Sequence, residues 1–181
     1  MKKALLILAD GFEEIEALGT VDILRRLGVE VVTASVSGES VTGAHNIQLK
    51  ADSILEKVVT DHFDAVILPG GMPGAANLDA DANVSTVLQL ASRRGAVIAA
   101  ICAAPFVLAK RGLLNGKIFT MYPGFEAELG TLSYTANLSE RDGNIVTGKG
   151  PGAIFAFART LAEALGLTEE CKKLYQGMFV E

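Results

Sequence analysis

Short apolar runs that do not alternate with polar residues, each followed by a segment of helical period, constrain this chain more than any other feature. "KALLILA" (3–9), "VEVVTAS" (29–35), "FDAVILPG" (63–70), "GAVIAAI" (95–101), "GKIFTMY" (116–122) and "NIVTG" (144–148) read as strands. A strand that is apolar on both faces needs cover on both faces, the condition of a mostly parallel sheet wrapped by helices. The intervening segments supply those helices and mark their ends. "EEIEALGTVDILRRLG", "ANVSTVLQLASRRG" and "PFVLAKRG" each close on basic residues and then a glycine, which complements the helix dipole and lets the backbone turn left-handed. "PGAIFAFARTLAEALG" opens on Pro151 and stops at Gly166 by the same rules. Two hairpins are expected to interrupt the alternation, "SVSGESVTG" (35–43) and "SERDGNIV" (139–146), the second turning at Asp142-Gly143. The expected architecture is α/β: a three-layer, flavodoxin-like sandwich with a mostly parallel sheet and helices on both faces. At 181 residues one domain spanning 1–181 is expected.

Charge and composition narrow the function classes. The net charge is −5, and no basic cluster exceeds Arg25-Arg26 or Arg93-Arg94, so an obligate nucleic-acid partner is not expected. "MKKALLILAD" imitates a signal peptide, but its apolar run is about half a typical signal core before Asp10 arrives. It reads as the first strand, and no other run is long enough for a bilayer, so no membrane partner is expected. Cys102 and Cys171 lie far apart without Cys-x-x-Cys or Cys/His spacing, which argues against a disulfide scaffold or a metal site and for a reducing cytoplasm.

Ligands of such sheets bind outside the carboxyl ends of the strands. The places to search are Asp10 to Glu16, Pro69 to Asn77, Cys102 to Pro105, Tyr122-Pro123 and Gly148 to Gly152. Cys102 falls where a buried strand should turn into a helix, whose free N–H groups favour thiolate and whose small neighbours Ala99, Ala100, Ala103 and Ala104 leave room for an elbow. An inert core cysteine fits the same position. In "LPGGMPGAANL" consecutive glycines after a strand let backbone N–H groups approach a ligand, so Gly71 and Ala103 are candidate oxyanion donors; a plain tight loop is the competing reading. The stretch is neither a dinucleotide fingerprint nor a phosphate-binding loop. In "DGFEEIEALGTVDIL", Glu13 and Glu16 are placed on a different face from Ile15, Leu18, Val21 and Leu24, with Glu16 nearest the sheet. An ionised carboxylate there would oppose a thiolate, whereas a protonated one would donate to it. A solvated face is the alternative for any one of these acids. The two histidines, His45 and His62, offer no obvious imidazole for a Cys-His triad, and Cys171 reads as structural.

Four stretches in order, "LADGFEEIEALGTVDILRRLG", "DAVILPGGMPGAANL", "IAAICAAPFVLAKRGLL" and "GKGPGAIFAFA", resemble the ThiJ/PfpI superfamily, in the branch of the parkinsonism-associated protein DJ-one and bacterial YajL. The resemblance runs through essentially the whole chain. It implies a flavodoxin-like homodimer with a reactive cysteine at Cys102, a protonated carboxyl at Glu16 donating to its sulfur, and N–H donors at Gly71 and Ala103. Gly70, Tyr122, Gly150 and Pro151 would line the pocket. It further implies a cofactor-independent glyoxalase or deglycase acting on small dicarbonyls or early glycation adducts, or else an oxidative-stress sensor or redox-regulated chaperone in which Cys102 is oxidised. Peptidase-like members carry a histidine directly after the cysteine; Ala103 stands here and argues against a peptidase. Tyr122 stands before Pro123 where related proteins often have a histidine, which removes a second strong base.

Overall fold

The computed structural model describes residues 1–180. In chain order the elements are β1 (Lys3–Leu8), α1 (Glu14–Arg26), β2 (Glu30–Ser35), β3 (Ser40–Thr42), β4 (Gln48–Lys50), β5 (Ser53–Ile54), α2 (Leu55–Val58), β6 (Ala65–Leu68), α3 (Gly74–Ala80), α4 (Ala82–Arg94), β7 (Val97–Ile101), α5 (Pro105–Lys110), α6 (Glu126–Leu129), β8 (Ser139–Asp142), β9 (Ile145–Gly148), a 3-10 turn (Pro151–Ala153), α7 (Ile154–Ala164) and α8 (Thr168–Gly177). The main sheet runs β5-β2-β1-β6-β7-β9-β8, parallel except for the β8/β9 hairpin at its edge.

Alternate residues of the central strands feed two apolar cores, one per face. Leu5, Ile7, Val66, Leu68, Ile98 and Ala100 pack with Leu78, Val84, Leu88 and Phe106 on one side. Leu6, Leu8, Ile67, Ala99 and Ile101 pack with Val21, Leu24, Phe157 and Leu161 on the other. Both faces are covered, which is why these strands carry no polar alternation. Strand order reverses between β1 and β6, so the loops after these two strands meet at the switch point.

Three expectations are corrected. "GKIFTMY" is no strand: β9 pairs directly with β7, from Ile98↔Ile145 to Ile101↔Gly148, and leaves no vacant place beside it. That segment instead touches Thr135 through one isolated bridge at Thr120, whose N–H is 2.9 Å from the Thr147 hydroxyl. The first hairpin lies later than expected, between β3 and β4, and forms a separate two-stranded sheet turning through residues 43–47. On α1, Ile15 and Leu18 are exposed, whereas Glu13, Glu14 and Glu16 are buried. Residues three apart drift by about 60° per step on a helix, so Leu24 faces the sheet while Ile15 faces away from it. The second hairpin forms as expected, with Asp142↔Ile145 as its closing pair and Gly143-Asn144 as its turn.

Candidate active site around Cys102

Cys102 follows the last residue of β7 and holds a positive φ of 63°, a costly conformation for a side-chain-bearing residue. Its N–H donates to Gly148 O (2.9 Å), and its carbonyl accepts from Tyr122 N–H (2.9 Å). The elbow is therefore pinned on one side to the end of β9 and on the other to the Tyr122-Pro123 turn. The residue is 9% exposed, too little for free hydration of the thiol.

Glu16 sits in the first turn of α1, fully buried. Its Oε2 accepts the Gly70 N–H at 2.8 Å, while Oε1 has no hydrogen-bond donor. Glu13 fixes this turn by capping it: its carboxylate accepts the Glu16 N–H at 2.8 Å. Gly70 shows how tightly the parts meet. A Cβ there would stand 2.6 Å from the Cys102 Cβ and 2.7 Å from Glu16 Oε2, so only glycine lets the loop pass between them. The following Gly71, at φ +88°, lies against the Gly11-Phe12-Glu13 backbone and turns its N–H toward the sulfur, as does Ala103.

Burial raises the Glu16 carboxyl to about 7, against the Gly70 N–H that favours its ionised form. Burial and the Glu16 charge push the Cys102 thiol up to about 12, against the Gly71 and Ala103 N–H groups. Two groups this close titrate as a pair, which between its two ionisations holds one proton and one negative charge. The helix end itself contributes little to any lowering of the thiol, because α5 has only six residues and burial opposes the effect; the Gly71 and Ala103 N–H groups act in that direction instead. The donors decide where the single charge rests. The sulfur faces two backbone N–H groups in a residue that keeps 9% exposure, while the carboxyl has one N–H and no exposure. Placing the proton on Glu16 makes its hydrogen bond with Cys102 one in which the carboxyl O–H donates to sulfur.

Tyr122, Gly150 and Pro151 line one groove of about 260 Å3, together with Pro123, Leu138 and Lys149. The Tyr122 ring packs on Gly150, where a Cβ would come within 3.2 Å. Cys102 is not itself among the lining residues; the groove's two walls continue from the backbone groups that pin the elbow. Gly70 belongs to the buried floor rather than to the groove.

The histidines stand apart from the sulfur. His62 is exposed ahead of β6, at the opposite end of the sheet. His45, in the β3/β4 turn, places Nδ1 2.7 Å from Glu14 Oε2 and its N–H 2.7 Å from Oε1. Burial pushes Glu14 up, but the His45 hydrogen bonds hold it below its ordinary value, and the same contact raises His45. The sequence reading missed this contact; its only trace was Gly43, whose missing side chain leaves room for the Glu14 carboxyl. Glu13, Glu14 and His45 bring ligand-type atoms within 4.8 Å of one another, yet both carboxylates are already engaged by backbone N–H groups. Cys171, on the inner side of α8, is buried beside Ile23, Ala158 and Tyr175, a packing position. Among the described residues no helix is long and apolar enough to cross a membrane.

Residues 2–164 match the DJ-1/PfpI family. The chain is 40% identical to protein dj-1beta of Drosophila melanogaster, over 99% of this chain and 97% of that one. It is 32% identical to a deglycase of Pyrococcus abyssi, over 90% of this chain and 99% of the relative. A solved structure of Toxoplasma gondii DJ-1, described as oxidized, superposes with a TM-score of 0.94 at 36% identity, covering 99% of this chain and 98% of that one.

Proposed function

Because the chain belongs to the DJ-1/PfpI family, we propose that it is a cysteine-dependent, cofactor-independent enzyme of the glyoxalase or deglycase type, acting on reactive dicarbonyls or early glycation adducts. The observation that carries the reading is the buried Glu16 carboxyl, with one oxygen lacking a donor, beside a strained and slightly exposed Cys102. The deglycase of Pyrococcus abyssi supports it from the side of the relatives.

For methylglyoxal the chemistry closes without an external oxidant. The Cys102 thiolate bonds to the aldehyde carbon as Glu16 gives its proton to the aldehyde oxygen, and the Gly71 and Ala103 N–H groups steady the developing charge. The Glu16 carboxylate then removes the proton from that carbon to give an enediolate and returns it to the neighbouring carbon, while the hydroxyl proton of the first carbon passes to the neighbouring oxygen, leaving a thioester. Water cleaves the thioester to the hydroxy acid and frees the sulfur. A carboxyl raised to about 7 suits both halves of this proton traffic. Cys102→Ala is expected to abolish lactate formation followed by NMR, and Glu16→Gln to slow it by about 10²-fold or more; full turnover in either variant overturns the mechanism.

The oxidised Toxoplasma gondii relative favours a second reading, in which Cys102 is oxidised to sulfinate and the oxidised protein is a stress signal or redox-regulated chaperone. Mild peroxide then adds two oxygens at Cys102 and none at the buried Cys171, as read by peptide mass spectrometry. Exposed Ile15 and Leu18 on α1 suit self-association as a homodimer, and the two free thiols suit a reducing cytoplasm.

A further inference from the structure

Among the described residues, Lys149 is the one charged residue lining the groove beside Cys102; the others are apolar, glycine or tyrosine. It follows Gly148, the carbonyl that holds the Cys102 N–H, so it is one residue from the elbow's anchor. The side chain is half-buried and its Nζ donates to Ala136 O at 3.1 Å. An ammonium has three donors, and no carboxylate lies in ion-pair range of this one among the described residues. The acids of the neighbouring loop are engaged elsewhere: Glu140 accepts from Thr135 and Asn137, and Glu126 from Tyr134. A cation without a counter-charge on the wall of an apolar groove favours a ligand that is apolar along its length and anionic at its end.

Resting on the proposed chemistry at Cys102, we infer that Lys149 is a specificity-determining residue and that the preferred substrates are carbonyl compounds bearing a carboxylate. The carbonyl meets the sulfur, the apolar body lies along Tyr122, Leu138 and Pro151, and the carboxylate reaches the ammonium.

Two matched alkylating probes read this selectivity without any turnover: 4-(iodoacetamido)benzoate and uncharged iodoacetanilide. In both, the Cys102 sulfur forms a bond to the iodomethyl carbon and iodide leaves. The rate ratio of the anionic to the neutral probe at Cys102 is expected to fall about fivefold in Lys149→Met, the size typical of a partly exposed ion pair. It should persist in Lys149→Arg and decline in the wild type as salt rises. A ratio that Lys149→Met leaves unchanged, or that salt leaves unchanged in the wild type, overturns the inference. Turnover of 4-carboxyphenylglyoxal against phenylglyoxal is measured alongside. If neither is consumed while the probe ratio behaves as expected, the enzymatic reading fails and the carboxylate preference of the groove stands.

Discussion

Glu16 is the residue at which burial, charge and proposed chemistry meet. Burial raises the Glu16 carboxyl from 4.5 to about 7, and because Glu16 and Cys102 share one proton above the pair's first ionisation, the stability tied to this shift is fully present below 4.5 and lost as pH rises through that ionisation. A shift of that size corresponds to about 3 kcal/mol. Urea denaturation of wild type and Glu16→Gln at pH 5 and pH 8 is expected to show the wild type losing roughly that much relative to the variant on going to pH 8. A difference that stays constant between the two pH values contradicts the raised carboxyl. The sequence carried Cys102, Glu16, Gly70, Gly71 and Ala103 to one strand-end cluster, because glycine pairs and strand ends are local signals. It did not carry the burial of Glu14 or its contact with His45, since these residues are 31 apart and only the β3/β4 turn brings them together.

At the scale of elements, the basic-then-glycine endings were dependable signals. The α4 helix stops at Gly95, φ 69°, whose N–H returns to Ala91 and Ser92 carbonyls. A Cβ added there would meet nothing within 4 Å, so Gly95→Ala isolates backbone strain from crowding. Its expected cost is about 1–2 kcal/mol by chemical denaturation; a neutral substitution would mean the left-handed turn is not retained in solution. Segment 116–122 shows where element reading fails. Its composition is strand-like, but strand identity depends on a vacant neighbour, and the local β8/β9 hairpin takes the place beside β7. The apolar spacing of α1 misled for another reason: a step of three residues does not track one helical face, so Ile15 and Leu24 end on opposite sides.

Across the whole molecule, the parallel sheet gathers residues from four distant stretches at one end: Glu16 after β1, Gly70 and Gly71 after β6, Cys102 after β7, and Lys149 to Pro151 after β9. That convergence was readable from the order of strands and helices, because parallel strands put all their following loops on the same side. The state of the shared proton was not, since it depends on how many N–H groups reach sulfur and how many reach the carboxyl. The central claim is that Glu16 holds this proton and Cys102 the charge. It is tested most directly by titrating the Cys102 thiolate, through its ultraviolet absorbance and alkylation rate, in wild type and Glu16→Gln. Thiolate is expected to appear with the first ionisation of the pair, below the free-cysteine value of about 8.5, and to shift upward in Glu16→Gln, whose amide is a weaker donor. A wild-type thiolate that forms only far above 8.5, and at lower pH once Glu16 is replaced, would place the charge on the carboxylate and contradict the account.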